Sequence, residues 1–159
     1  MKVLHLMREF SPYSQTFVYD LVSALQGGGE IENEIVYYGK RIESSERPFE
    51  ALSSAKQLEL DYLGNFERLM LKVRKKNKKS VAFYKYINKT EVDVVHCHFL
   101  WCIWQLLDRT DSYNSCNIPI LVSAHGTDVT RDAKNEKYRD AILRFSKKNN
   151  VIFSGTTPF

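Results

Sequence analysis

Four residues in this sequence have the types and spacing to do chemistry: His96, His98, His125 and Asp128. His96 and His98 stand two apart in Val92-Asp93-Val94-Val95-His96-Cys97-His98-Phe99, so on a strand they point to one face and Cys97 to the other. With His125 and Asp128 from the next apolar segment, three imidazoles and a carboxylate could converge. Such a set is metal-capable, and a His-x-His pair after a strand suits a metal-dependent hydrolase. The sharper feature is His125-Gly126-Thr127-Asp128. An imidazole there offers a neutral donor and acceptor near pH 7. Gly126 lets the backbone turn tightly or come close to a ligand. Asp128 could orient the imidazole or accept a sugar hydroxyl, or it could be a plain Asp cap on a following helix, and the residues leave both open.

These side chains need elements to position them. Val92 to Phe99 and Ile118 to Ala124 are short β-branched and apolar runs without helical period, as in strands buried on both faces of a parallel sheet. A helix over Trp101 to Thr110 joins them into a β-α-β unit. Ligands of open parallel sheets sit outside the carboxyl ends of the strands, which is where His98, His125 and Asp128 fall.

The first half of the chain repeats the pattern. Val3 to Met7 is a strand whose His5, set among apolar neighbours, reads as a core histidine with a backbone partner. Phe17, Val18, Leu21, Val22 and Leu25 recur at helical spacing, Gly27-Gly28-Gly29 stops that helix, and Glu34 to Tyr38 is the second strand. The intervening loop, Glu9 to Thr16, lacks the Gly-x-Gly-x-x-Gly of a dinucleotide fold. Its hydroxyls, Ser14 and Thr16, either cap the helix alone or cap it and meet a phosphate at the helix N-terminus.

Lys40 to Ser54 reads as a long polar loop, and Gln57 to Tyr62 as a short third strand. Phe66, Leu69, Met70 and Val73 share one helical face, expected to pack on the domain, with Arg68, Lys72, Lys75 and Lys79 opposite. Seven basic residues against one acid lie between Phe66 and Lys79. This basic face is either plainly solvated or rests peripherally on anionic lipid. Val81 to Lys89 continues as helix. After Asp128 a loop or helix start leads into an amphipathic helix carrying Tyr138, Ala141, Ile142 and Phe145. Val151-Ile152-Phe153 is the last strand and Ser154-Gly155-Thr156 its exit turn.

The expected fold is therefore α/β: a Rossmann-like three-layer α/β/α sandwich with a mostly parallel sheet, in one domain of 159 residues. Three cysteines without a disulfide-framework spacing point to a reducing compartment. The first residues are charged too soon for a signal peptide, and no apolar run approaches a membrane span. The expectation is a cytoplasmic chain, with peripheral contact at the inner face of the membrane as an option. A net charge of +4 and no recognised nucleic-acid module argue against nucleic acid as a partner.

Taken together, Asp93 to Phe99 and the strand ending in His125-Gly126-Thr127-Asp128 resemble the N-terminal domain of GT-B-fold glycosyltransferases of family 4. Phe10-Ser11-Pro12-Tyr13-Ser14-Gln15-Thr16-Phe17 resembles that family's Ser-x-Thr-Phe turn, and Val151 to Ser154 the strand just before its acceptor domain ends. The usual Gly-Gly turn after the first strand is absent, and Gln15 stands where that subset often has Glu. The resemblance implies sugar transfer from a nucleotide-sugar co-substrate, without metal or other cofactor, to a saccharide or lipid-linked saccharide, as in cell-envelope polysaccharide synthesis. It implies that His125 contacts the transferred sugar with Asp128 in support, that Ser14 and Thr16 face donor phosphates, and that His98 and Gly126 line the substrate side. It also implies a second, donor-binding Rossmann-like domain, whose Glu-x7-Glu motif is not in these residues, so the chain alone is expected to be inactive. The rivals are the metal-dependent hydrolase using His96, His98 and His125, and a non-catalytic module that binds a saccharide or a protein.

Overall fold

The computed structural model describes residues 1–9, 16–39, 55–58, 63–74, 77–109 and 117–155. Their strands are β1 (Lys2–Met7), β2 (Glu32–Tyr37), β3 (Ala55–Gln57), β4 (Val94–Cys97), β5 (Ile120–Ala124) and β6 (Val151–Gly155). The helices are α1 (Thr16–Gly27), α2 (Asn65–Val73), α3 (Lys78–Lys89), α4 (Trp101–Gln105), α5 (Thr127–Thr130) and α6 (Glu136–Phe145), with short 3-10 turns at Leu107–Arg109 and Asp132–Lys134. All six strands pair in parallel in the order β3-β2-β1-β4-β5-β6. The chain builds outward from β1, returns, and builds outward on the other side. This is the Rossmann-like α/β arrangement, and its switch point lies between β1 and β4.

Strand alternation sorts the core into two layers. Leu4, Leu6, Val95, Cys97, Ile120 and Val122 face one side, against Val81, Phe83, Tyr84, Ile87, Ile103, Tyr138 and Phe145 from α3, α4 and α6. Met7, Ile35 and Tyr37 face the other, against Val18 and Val22 of α1. At the strand ends the backbone crowds: the Gly39 N–H donates to the Arg8 carbonyl at 2.6 Å, and a Cβ on Gly39 would stand 2.5 Å from that oxygen. Only glycine fits this approach of the β2 exit to the β1 exit.

Several expected boundaries move. β2 begins at Glu32, β6 runs through Ser154 and Gly155 instead of turning there, and β3 is Ala55–Gln57, most of the expected strand from Gln57 to Tyr62 lying outside the described residues. Helix Trp101–Gln105 gives way to a 3-10 turn before Thr110, which lies outside the described residues. The basic stretch after Phe66 is two helices, because the Asn77 side chain accepts from the amides of Lys79 at 3.0 Å and Ser80 at 3.2 Å and so starts α3 afresh.

The larger correction concerns α2. Its apolar stripe does not pack on the domain: Phe66, Leu69 and Val73 are 76%, 57% and 68% exposed, and Leu71 is the buried residue. The physical reason is α3, whose Val81, Ala82, Phe83, Tyr84, Tyr86 and Ile87 already fill that layer. The basic set is split as well. Arg68 donates from Nε to the Leu63 carbonyl, Lys79 donates to the Tyr38 carbonyl, Lys72 stays exposed, and Lys75 lies outside the described residues. Leu71→Ala is therefore expected to lower the unfolding free energy by about 2–3 kcal/mol in urea denaturation, and Phe66→Ala or Leu69→Ala by no more than about 0.5 kcal/mol. Equal losses would mean that α2 packs on its other face.

Candidate functional site

Across the α1 side of the sheet, four neighbouring strands contribute polar side chains in a row. Asn33 comes from β2, His5 from β1, His96 from β4 with His98 just beyond it, and Ser123 from β5. His5 Nε2 lies 3.0 Å from Asn33 Oδ1, and the Asn33 amide nitrogen donates to the Ile31 carbonyl, which fixes that oxygen as the acceptor. His5 Nε2 must then carry the proton, leaving Nδ1 to accept from His98 Nε2–H at 2.8 Å. His96 Nε2 pairs with Ser123 Oγ at 2.8 Å. His5 is thus a core histidine as expected, but its partners are side chains, not backbone.

Burial is the main reason the three imidazoles stay neutral. It depresses His5, His98 and His96, the last to about 4; nearby His5 and His125 add to the effect on His96, and His96, His5 and His125 to that on His98.

The imidazoles that gather are therefore His5, His96 and His98, and among the described residues no carboxylate joins them. Of the groups the hydrolase reading needs, His125 adds no nitrogen to this cluster and Asp128 spends both oxygens on backbone amides. The nitrogens of His5 and His98 already share a proton at 2.8 Å, whereas two nitrogens on one tetrahedral zinc stand about 3.3 Å apart. The trio fits a hydrogen-bonded relay better than a metal centre.

His125 is placed by the tip of β5. Gly126, at φ +47°, turns the chain there, and a Cβ on it would meet nothing within 4 Å, so the position needs glycine's backbone freedom rather than close approach. The ring of His125 lies against Phe17 at 4.4 Å and Phe99 at 5.0 Å between centroids, and Phe99 stacks on Trp101 at 4.8 Å. Burial lowers the basicity of His125, and its Nε2 is buried without a hydrogen-bond partner among the described residues. Phe99 sits at φ +147°, a strained conformation for a side chain of its size, at the tip of β4.

Asp128 lies in the first turn of α5 instead of capping it, and accepts from amides outside that helix. Its side chain is fully buried; Oδ1 accepts from the His125 amide and Oδ2 from the Leu100 amide, both at 2.9 Å. Burial pushes this carboxyl up while the amides pull it down. It holds the exit loops of β4 and β5 together and has no free face for a substrate, so its part is positioning. His98 is likewise 1% exposed and bonded inward, not lining an open surface. Ser14 lies outside the described residues, and Thr16 begins α1 with its side chain outside them.

Beside the Phe99–Trp101 pair opens a cavity of about 340 Å³ lined by Arg8, Trp101, Trp104, Arg131, Asp132 and Tyr138, among others. It lies beyond the carboxyl ends of β1, β4 and β5 and holds both tryptophans of the chain. Trp101 Nε1 donates to Asp132 Oδ2 at 2.6 Å, and Arg131 pairs with Asp132 at 3.0 Å. The Tyr138 hydroxyl is buried without a partner among the described residues. Indole faces with cations and a spare hydroxyl suit a polyhydroxylated or anionic ligand. Sequence reasoning used these residues only as helix and core markers; two tryptophans three apart just after β4 were the available signal. No protein-family model matches the chain, and no curated protein matches it significantly.

Two outcomes follow from this geometry. Asp128→Ala leaves two buried amides without acceptors and is expected to cost about 3 kcal/mol of stability by thermal or urea unfolding, with Asp128→Asn intermediate because one oxygen remains. A loss below about 1 kcal/mol would show that the clamp is dispensable. Because the folded state keeps its histidines below the ordinary value of 6.5, full stability holds above that pH and drains away as pH falls toward about 4. At about pH 5, His96 alone is expected to contribute a loss of about 2 kcal/mol, and a melting temperature flat from pH 7 to 5 would contradict neutral burial.

Proposed function

We propose that this chain is the acceptor-side half of a GT-B-type glycosyltransferase, working with a second Rossmann-like domain that holds a nucleotide-sugar. The observation that carries the reading is His125. A neutral imidazole stands at the tip of β5 with Nε2 unpartnered, and one stacked phenyl ring away lies a cavity walled by two indoles. Chemically, Nε2 is covered beside Phe17 and Phe99, and it can hydrogen-bond a hydroxyl of the transferred sugar, without competing charge, once the ring turns out of that contact. Arg8 and Arg131 can compensate negative charge on a phosphate or acidic saccharide nearby. Trp101 and Trp104 offer apolar faces of the kind that stack on pyranose rings. In this mechanism the half described here orients the acceptor and stabilises developing charge through fixed donors, and Asp128 acts through the backbone that carries His125.

The resemblance to family 4 enzymes adds the reaction type, and cell-envelope polysaccharide or glycolipid synthesis as the setting. The metal-hydrolase alternative is weaker because the clustered ring nitrogens are those of His5, His96 and His98, and both oxygens of Asp128 are taken by backbone amides. The test joins the chain to a nucleotide-sugar-binding domain and follows release of nucleoside diphosphate from UDP- and GDP-hexoses with saccharide acceptors. His125→Ala is expected to lower turnover by about a hundredfold or more while the fold is retained. Full turnover in that variant, or robust transfer by the unaccompanied chain, would overturn the reading.

A further inference from the structure

The outward stripe of α2 has no partner among the described residues. Phe66, Leu69 and Val73 lie at i, i+3 and i+7, each more than half exposed, and Leu71 anchors the helix from the opposite side. At about 100° per residue, exposed Lys72 falls on one flank of the stripe and exposed Arg74 on the other. The sequence from Phe66 to Lys79 carries seven basic residues and one acid, Glu67, whose carboxylate is occupied by Lys85 at 2.5 Å. The outer surface of α2 is thus an apolar ridge between cations. No helix among the described residues is long and apolar enough to cross a membrane.

We propose that α2 is an in-plane membrane anchor, seating Phe66, Leu69 and Val73 in the interface of an anionic bilayer while Lys72 and Arg74 meet its headgroups. Charge complementarity selects this occupant. A second copy would bring the same cations face to face, whereas anionic headgroups neutralise them as the apolar side chains leave water. Arg68 and Lys79, bonded to the body of the domain, take no part. The proposal does not rest on the sugar-transfer reading; that reading would only give the bilayer a reason to be near.

The test is co-sedimentation with vesicles of phosphatidylcholine containing about one-third phosphatidylglycerol, with pure phosphatidylcholine vesicles alongside. The chain is expected to pellet with the anionic vesicles, far less with the neutral ones, and less again as salt rises. The triple variant Phe66→Ser, Leu69→Ser, Val73→Ser should bind about tenfold more weakly or worse, and so should Lys72→Gln with Arg74→Gln. All five side chains are exposed, so circular dichroism should show both variants folded. Absence of pelleting by the unaltered chain, or unchanged pelleting by the triple variant, would overturn the proposal. So would a dimer in sedimentation velocity that the triple variant disperses, because a second copy would then be what covers the stripe.

Discussion

A buried carboxylate must be bonded or it cannot be ionised in the interior. Asp128 meets that demand with the backbone amides of Leu100 and His125, and so ties the loop leaving β4 to the loop leaving β5. Everything at the carboxyl edge of the sheet depends on this tie. Phe99 and Trp101 ride on one loop and His125 on the other, so the separation of the two loops sets whether the rings stack. The strain at Phe99 is tolerable for the same reason: the fold around it over-determines its place.

Behind that edge, the row Asn33, His5, His98 and the pair His96, Ser123 form a polar seam inside an otherwise apolar sheet. A seam of neutral imidazoles needs each nitrogen's role assigned, and the Asn33 amide begins that assignment at one end. The cost is sensitivity to acid, since every imidazole must stay uncharged for the layer to pack. The seam also holds β1 and β4 in register at the switch point. The histidines therefore divide into two groups, three in the seam and one, His125, at the tip of β5 against Phe17 and Phe99.

Much of this was legible in the sequence because it is local. Apolar runs without helical period marked β1, β4 and β5, and their order around helices implied a parallel sheet. His125-Gly126-Thr127-Asp128 announced a turn with a usable imidazole, and Gly126 does carry the positive φ. What stayed hidden was set by distance along the chain. The meeting of His5 with His98 spans 93 positions and depends on β1 and β4 being neighbours, which no local pattern encodes. The stripe on α2 was visible as a stripe, but periodicity cannot say which way a helix turns when its neighbour has already filled the layer. Asp128 showed its type and offset, yet its second amide comes from a loop 28 residues away. The need for glycine at Gly39 likewise arises only when two strand exits converge.

The central claim is that the crevice between the β4 and β5 tips takes a carbohydrate with His125 at its head. The most direct measurement is an NMR titration of the imidazole and indole nitrogens with nucleotide-hexoses and oligosaccharides. The account predicts that His125 and the Trp101 and Trp104 N–H signals shift together on adding ligand, while His5 and His98, sealed in the seam, stay still. Shifts confined to the His5, His96 and His98 rings, or no movement of His125 with any sugar, would contradict it.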